Sequence, residues 1–288
     1  MQSSFLTTVF LPLALFIIML GMGLGLTLND FKRVFIQPKA VIFGLIAQLI
    51  VLPIMGFLLA TTFPLSPELA VGVMILAACP GGPTSNMVTY LVRGNVALSI
   101  TLTAISSLIT VFTIPIVVNL AMQKFMGEAV ALQLPFVKTV IQIAVITFIP
   151  VALGMLLHRY NPQFATKVEK LVKWLSLFFL GLIIAGLLLK ERNNVASFFF
   201  QVGGVTLTLN LLTMALGYTI ATLGKLDSSS AKAITVEVGI QNGTLAIAVA
   251  TTLLNSPNMA IPAAIYSLIM FVTSAAFAGI VRNRQVKV

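Results

Sequence analysis

The sequence predicts an all-α, polytopic membrane protein of about nine transmembrane helices, two of them broken and related by an inverted repeat. Three observations predict it. Charge is scarce: 8% of the 288 residues are charged and 59% are hydrophobic, against about 25% charged in an ordinary soluble domain. No core of a chain this size could hide that much apolar surface, so lipid must cover most of the outside. The apolar residues fall in runs of the roughly 20 residues needed to cross a bilayer. Two of these runs are interrupted, in corresponding positions of the chain, by glycine, proline and amides.

Taken in order, the runs lie at 6–28, 39–61, 69–92, 96–123, 134–157, 169–189, 198–223, 230–253 and 260–281. Between them stand residues that punctuate helices: Asn29-Asp30, Pro38, Phe63-Pro64-Leu65-Ser66-Pro67, Gly94-Asn95, Asn161-Pro162, Asn193-Asn194, Asp227-Ser228 and Asn255-Ser256-Pro257. The first run lacks the basic flank and small-residue cleavage site of a secretory signal and is long enough to span. No run of soluble sequence is left over, so the function is expected within the membrane.

The net charge of +10 does not point to nucleic acid, because the basic residues form no stripe. They occupy alternate gaps. One set holds Lys32, Arg33, Lys39, Arg93, Arg159, Lys167, Lys170, Lys173, Lys225, Lys232, Arg282, Arg284 and Lys287; the other holds Lys124, Lys138, Lys190 and Arg192. Since cytoplasmic loops collect Lys and Arg, the first set is expected in the cytoplasm of a plasma-membrane protein. The N-terminus is then outside and the C-terminus inside. The one cysteine, Cys79, excludes an intrachain disulfide and reads most simply as a small buried residue.

Six of the seven acidic residues, Asp30, Glu68, Glu128, Glu169, Glu191 and Asp227, fit at run ends. Glu237 does not. It lies inside the eighth run, in Thr235-Val236-Glu237-Val238-Gly239-Ile240-Gln241-Asn242-Gly243-Thr244, where a charge costs about 2.5–3.5 kcal/mol on insertion scales. Two readings follow: a neutral carboxyl hydrogen bonded between helices, or a ligand for a cation. The neighbours favour the second. Gly239 and Gly243 weaken the helix, Gln241 and Asn242 compete for its backbone, and an unwound segment exposes carbonyls beside the carboxylate. Hard cations take oxygen ligands of this mixed kind.

The third run breaks at Cys79-Pro80-Gly81-Gly82-Pro83-Thr84-Ser85-Asn86. Two prolines around two glycines exceed a kink, and the half-helix that restarts near Thr84 presents free N–H groups suited to an anionic ligand. Paired breaks in two halves of a chain are a pointer to a secondary transporter's site. Here runs 2–4, with Gln48 before the break, answer runs 7–9, with Asn210 before the break. The third run goes inward and the eighth outward. The division expected is a panel of residues 1–38 and 134–197 (runs 1, 5 and 6) and a core of residues 39–133 and 198–288.

At these residues the chain resembles the bile acid:sodium symporter family, which includes bacterial homologues of the intestinal and hepatic bile acid transporters. The resemblance covers nearly the whole chain and is most specific at Cys79 to Asn86, Tyr90-Leu91-Val92-Arg93-Gly94-Asn95-Val96-Ala97-Leu98-Ser99, and Glu237 to Asn242. It implies a nine-span layout without the first span of ten-span bacterial members. It further implies two crossing broken helices in a core that moves against the panel, two coupling sodium ions and no organic cofactor. One sodium site would use Ser85, Asn86, Ser99, Thr103 and Glu237. A second would use Gln48, Glu237, Gln241 and the carbonyls of Val238 and Ile240. The crossing would offer Pro83, Thr84 and Asn242 to an organic anion. Pro83 stands where relatives commonly have Thr, and Met270-Phe271 where some have polar groups. Both lie on the substrate side, which leaves bile acids, steroid sulfates and small hydroxy acids such as pantoate open.

The expectation is therefore a sodium-coupled symporter importing a small organic anion, with sodium, the anion and lipid as partners. A related carrier of the arsenite type, in which Cys79 would matter, or a proton-coupled exporter is the alternative. An intramembrane enzyme is disfavoured: the only aspartates are Asp30 and Asp227 and the only histidine is His158, too few for a metal-binding cluster. His158 and Trp174 read as interfacial residues.

Overall fold

The structure is a computed structural model that describes residues 10–127, 136–190 and 195–285. Glu128, Glu191, Arg192, Asn193, Asn194 and Lys287 lie outside the described residues, as do the side chains of Lys173, Lys190 and Arg284. The chain is all-α. In order run α1 (Leu11–Leu24), α2 (Leu28–Ile36), α3 (Pro38–Ile46), a π-helical turn (Ala47–Val51), α4 (Leu52–Thr62), α5 (Pro67–Ala78) and α6 (Thr84–Leu91). Then follow α7 (Val96–Met126), α8 (Phe136–Tyr160), α9 (Pro162–Lys190), α10 (Val195–Leu223), α11 (Ser228–Gly239), α12 (Gly243–Ala248), a second π-helical turn (Val249–Leu253) and α13 (Pro257–Gln285).

Helix runs through each expected segment. Among the described residues, Pro38–Thr62, Val96–Met126, Phe136–Tyr160, Ser197–Leu223 and Pro257–Arg282 are each long and apolar enough to cross a membrane. The third and eighth segments are broken, into α5 with α6 and α11 with α12. Four of the prolines expected between the runs mark where the next helix begins. Pro38, Pro67, Pro162 and Pro257 each open a helix, at the position where the missing N–H is not needed.

The first gap is a correction. Asn29-Asp30 does not mark a loop: α2 is a helix, bent by 61° from α1. Its start is capped by Thr27, whose N–H and hydroxyl both donate to Asp30 Oδ2 at 2.8 and 2.7 Å. Length and apolarity reveal spans, and a short amphipathic helix carrying Asp30, Lys32 and Arg33 has neither.

Short connections tie one end of the bundle together. Arg93 and Lys225 adopt left-handed φ of 54° and 53°, ending α6 and α10 so that Gly94 N–H reaches Thr89 O at 2.8 Å and Leu226 N–H reaches Ala221 O at 3.0 Å. Asn95 N–H then donates to Ser229 O at 2.9 Å, and Thr101 Oγ1 donates to Asp30 O at 3.0 Å. Helix α2 with Lys32 and Arg33, and the connections bearing Arg93 and Lys225, thus share one end. At the other, Asn258 Nδ2 donates to Glu68 Oε2 at 2.6 Å. Around the girth, apolar side chains such as Phe112, Leu120, Ile141 and Trp174 are exposed, as a lipid-facing surface requires. His158 lies near the end of α8, with Nδ1 2.5 Å from Leu24 O at the end of α1.

Inside, α5 packs against α7 and α13, α11 against α10, and α1 against α8 and α9.

The cap of α11 makes a measurable statement. Asp227 accepts from Ser230 N–H at 3.0 Å and from the Ser230 hydroxyl at 2.6 Å. The Ser229 hydroxyl first, and then that of Ser230, lowers its pKa from 3.8 to about 2. Because the folded value is the lower one, the cap's contribution is present above about pH 4 and is lost as pH falls towards 2. Asp227→Ala should cost about 1 kcal/mol at neutral pH, read as a lower unfolding temperature in detergent, with the difference from wild type shrinking below pH 4.

Candidate functional site

The two breaks meet. Beyond Ala78, Cys79 is extended (φ −73°, ψ 156°); beyond Gly239, Ile240 is extended (φ −110°, ψ 104°). The unwound segments pair as a two-strand crossing: Gly82 N–H donates to Ile240 O at 2.8 Å and Asn242 N–H to Pro80 O at 3.0 Å. Gly81 and Gln241 form the antiparallel bridge between these bonds. Non-helical backbone at membrane depth must be satisfied by protein, and each break satisfies the other. Glycine is needed here for closeness. A Cβ on Gly82 would lie 2.8 Å from Gln241 O, and one on Gly81 would run into Glu237 Oε1.

Glu237 is fully buried (0% exposed) two residues before the end of α11. Its carboxylate accepts from three hydroxyls: Ser85 Oγ at 2.8 Å, Ser99 Oγ at 2.9 Å and Thr103 Oγ1 at 2.5 Å. Ser85 comes from α6, just past the first break, while Ser99 and Thr103 lie one turn apart on α7. Ser85 Oγ is 3.4 Å from both Ser99 Oγ and Thr103 Oγ1. Three hydroxyls and a carboxylate therefore form one compact oxygen cluster. Every hydroxyl carries lone pairs as well as a proton, so each can turn from donor to ligand. Among the described residues, the side-chain partners of this carboxylate are these three hydroxyls. Among the described residues no group of three His, Cys, Asp or Glu could hold a metal; an all-oxygen cluster is the donor set that hard cations prefer.

A family model decides the affiliation: the sodium bile acid symporter model matches residues 12–198. The chain belongs to the sodium bile acid symporter family. It is 33% identical to a probable chloroplastic sodium/metabolite cotransporter of Oryza sativa subsp. japonica, over 92% of this chain and 64% of that protein. It is also 33% identical to an uncharacterized sodium-dependent transporter of Bacillus subtilis (strain 168), over 90% of this chain and 78% of that protein. A human sodium/bile acid cotransporter is 30% identical over 84% of this chain and 55% of its own length. The chain thus spans somewhat under two thirds of the rice protein.

In this sodium symporter family member the residues expected at the site are placed as follows. Ser85, Ser99, Thr103 and Glu237 form the cluster just described. Asn86 adjoins it, half-buried, with Oδ1 buried and without a partner. The second expected set is only partly joined. Gln48 Nε2 donates to Gln241 Oε1 at 2.8 Å and to Cys79 O at 3.1 Å, and Gln241 Nε2 donates to Val238 O at 2.8 Å. Gln48 Oε1 is buried and unpartnered. Ile240 O accepts from the crossing backbone, and the side-chain hydrogen bonds of Glu237 go to the first cluster. Gln48 stands in the π-helical turn Ala47–Val51, a local widening common at functional positions.

Pro83 caps α6 and Thr84 is its first residue. Asn242 caps α12, its Oδ1 accepting from Leu245 N–H at 3.0 Å, while its Nδ2 is buried and unpartnered. Pro83, Thr84 and Asn86 line a cavity of about 370 Å³ that continues past Met22 and Gly25 of the α1 wall to Glu169 on α9. It lies towards the end of the bundle that carries Arg93 and Lys225. Sequence reasoning singled out Asn210 only as a repeat counterpart and missed Tyr266; a fully buried tyrosine on a mostly apolar helix leaves no periodic signal.

Gly81→Ala tests the crossing. Forcing a methyl group against the Glu237 carboxylate should cost about 1–3 kcal/mol, seen as a lower unfolding temperature in detergent. A wild-type value would mean that the two unwound segments are farther apart than described.

Proposed function

We propose that the chain is a sodium-coupled symporter that imports a small organic anion by alternating access, with two sodium ions as co-substrates. The observation that carries this is the buried carboxylate of Glu237 enclosed by Ser85, Ser99 and Thr103 hydroxyls. An ionised group so placed needs a cation to offset its desolvation. The names of the relatives, sodium/metabolite and sodium-dependent transporters, agree with that cation being sodium.

The first sodium ion takes Ser85, Asn86, Ser99, Thr103 and Glu237. The second takes Gln48, Gln241, Glu237 and carbonyls of Val238 and Ile240. The buried, unpartnered oxygens of Gln48 and Asn86 support both sets, since an unsatisfied buried acceptor is costly unless something fills it. Glu237 belongs to both sites, so binding one ion prepares the other. Together they pin α6 to α11 across the break.

The anion then docks in the cavity beside Pro83 and Thr84, where the free N–H groups opening α6 favour negative charge, and Asn242 Nδ2 supplies a further donor. Residues 39–133 and 198–288 act as a core that rocks against a panel of residues 1–38 and 134–197. With the basic end in the cytoplasm of a plasma-membrane protein, the cavity faces inward and this conformation is the releasing one. Two sodium ions and one monoanion carry a net positive charge inward, adding about 2.3 kcal/mol per 100 mV to the sodium gradient.

Thermal unfolding in detergent tests the reading. Sodium chloride should raise the wild-type Tm over potassium chloride by a few degrees, about 2–4 °C for each kcal/mol of binding, and Glu237→Gln should abolish the difference. Glu237→Ala should abolish uptake. Equal Tm values in the two salts, or sodium-driven uptake by the alanine variant, would sink the sodium sites.

A further inference from the structure

Among the described residues, four buried side-chain amides keep an atom without a partner: Gln48 Oε1, Asn86 Oδ1, Asn242 Nδ2 and Asn210 Oδ1. The first three belong to the sites proposed above. Asn210, on α10, touches neither the oxygen cluster nor the cavity, yet it is fully buried.

Its amide nitrogen donates to Gly239 O at 2.7 Å and to Tyr266 Oη at 3.0 Å. Tyr266, from α13 and 0% exposed, donates in turn to the same Gly239 O at 3.0 Å. Next to them Val238 O accepts from Gln241 Nε2 at 2.8 Å, with Thr213 Oγ1 at 3.5 Å. The last carbonyls of a helix have no partner within it. Here, at the broken end of α11, they are held by two other helices. The reach depends on close packing: a Cβ on Gly239 would lie 2.6 Å from Met214 Cγ, one turn beyond Asn210.

The arrangement mirrors the other repeat. Gln48 Nε2 donates to Cys79 O, 31 residues later, where α5 ends; Asn210 Nδ2 donates to Gly239 O, 29 residues later, where α11 ends. In each half, an amide on the preceding span holds the carbonyl that ends the first half-helix. Gln48 is also a cation ligand in the two-sodium reading, whereas Asn210 has Tyr266 as its companion.

We propose that Asn210 and Tyr266 are positioning residues for sodium: they fix the unwound end of α11, and with it the Val238 and Ile240 carbonyls and Gln241 that complete the second site. This rests on the two-sodium reading. Gly239 is not itself assigned as a ligand, so the pair acts through the backbone it holds.

The experiment is a sodium titration of Tm in detergent at constant ionic strength, for wild type, Asn210→Ala, Tyr266→Phe and Glu237→Gln. Loss of one buried hydrogen bond to the site's frame should raise the half-saturating sodium concentration about five- to tenfold in Asn210→Ala and about two- to fivefold in Tyr266→Phe. A purely structural role would lower Tm in potassium chloride and leave the sodium midpoint where it is in wild type. Unchanged midpoints in both variants, with a wild-type response that Glu237→Gln removes, overturn this proposal alone. No sodium response in wild type overturns the sodium reading and this proposal with it. Tyr266→Phe removes a single oxygen, so it carries the test if Asn210→Ala does not fold.

Discussion

Two segments of backbone without helix lie at membrane depth, and the structure depends on the fact that they satisfy each other. Pro80–Gly82 and Ile240–Asn242 would each leave donors and acceptors unpaired in lipid, at several kcal/mol per group. Brought into antiparallel register, Gly82 N–H meets Ile240 O and Asn242 N–H meets Pro80 O. This pairing fixes where α5, α6, α11 and α12 cross. It also explains the composition of the breaks, because only glycine lets the strands approach beside a carboxylate.

The crossing sets up the electrostatics. Placing Glu237 two residues before the end of α11 brings its carboxylate to the start of α6 and the side of α7, where Ser85, Ser99 and Thr103 converge on it. A site built of neutral hydroxyls and one carboxylate suits a monovalent hard cation. A basic partner would have neutralised the group permanently, and a second carboxylate would have favoured a divalent ion. Binding strength that depends on a mobile cation is what coupling to a gradient demands. The same geometry leaves Pro83 and Thr84 lining the cavity next to Ser85 of the cluster, so cavity and oxygen cluster meet at the start of α6.

The two halves of the chain follow a similar plan around the crossing. In each half a buried amide one span upstream caps the half-helix that ends at the break, Gln48 on Cys79 O and Asn210 on Gly239 O. A π-helical turn marks each half as well, though in different places: around Gln48 in the first and after α12 in the second. The halves share a plan and differ in chemistry. In the first half the amide reaches across to Gln241, and in the second it is joined by the Tyr266 hydroxyl.

Apolar run length made the all-α membrane class legible in the sequence, and Pro80 to Pro83 with Gly239 to Gly243 made both breaks legible, because these are local properties of composition. Glu237 stood out for the same reason: a carboxylate inside an apolar run needs an explanation. Family likeness then supplied Ser85, Ser99, Thr103, Gln48 and Gln241. Three things were decided only in the tertiary structure. Helix α2 was hidden because a short amphipathic helix mimics a polar gap. The antiparallel pairing of the breaks joins residues some 160 positions apart, and nothing local encodes which strand meets which. Tyr266 and Asn210 acquire their role only when α10 and α13 converge on the end of α11. The sequence by itself determined which residues must leave the lipid; the fold determined which of them meet, because the partners of a buried polar group are chosen by packing across the whole chain.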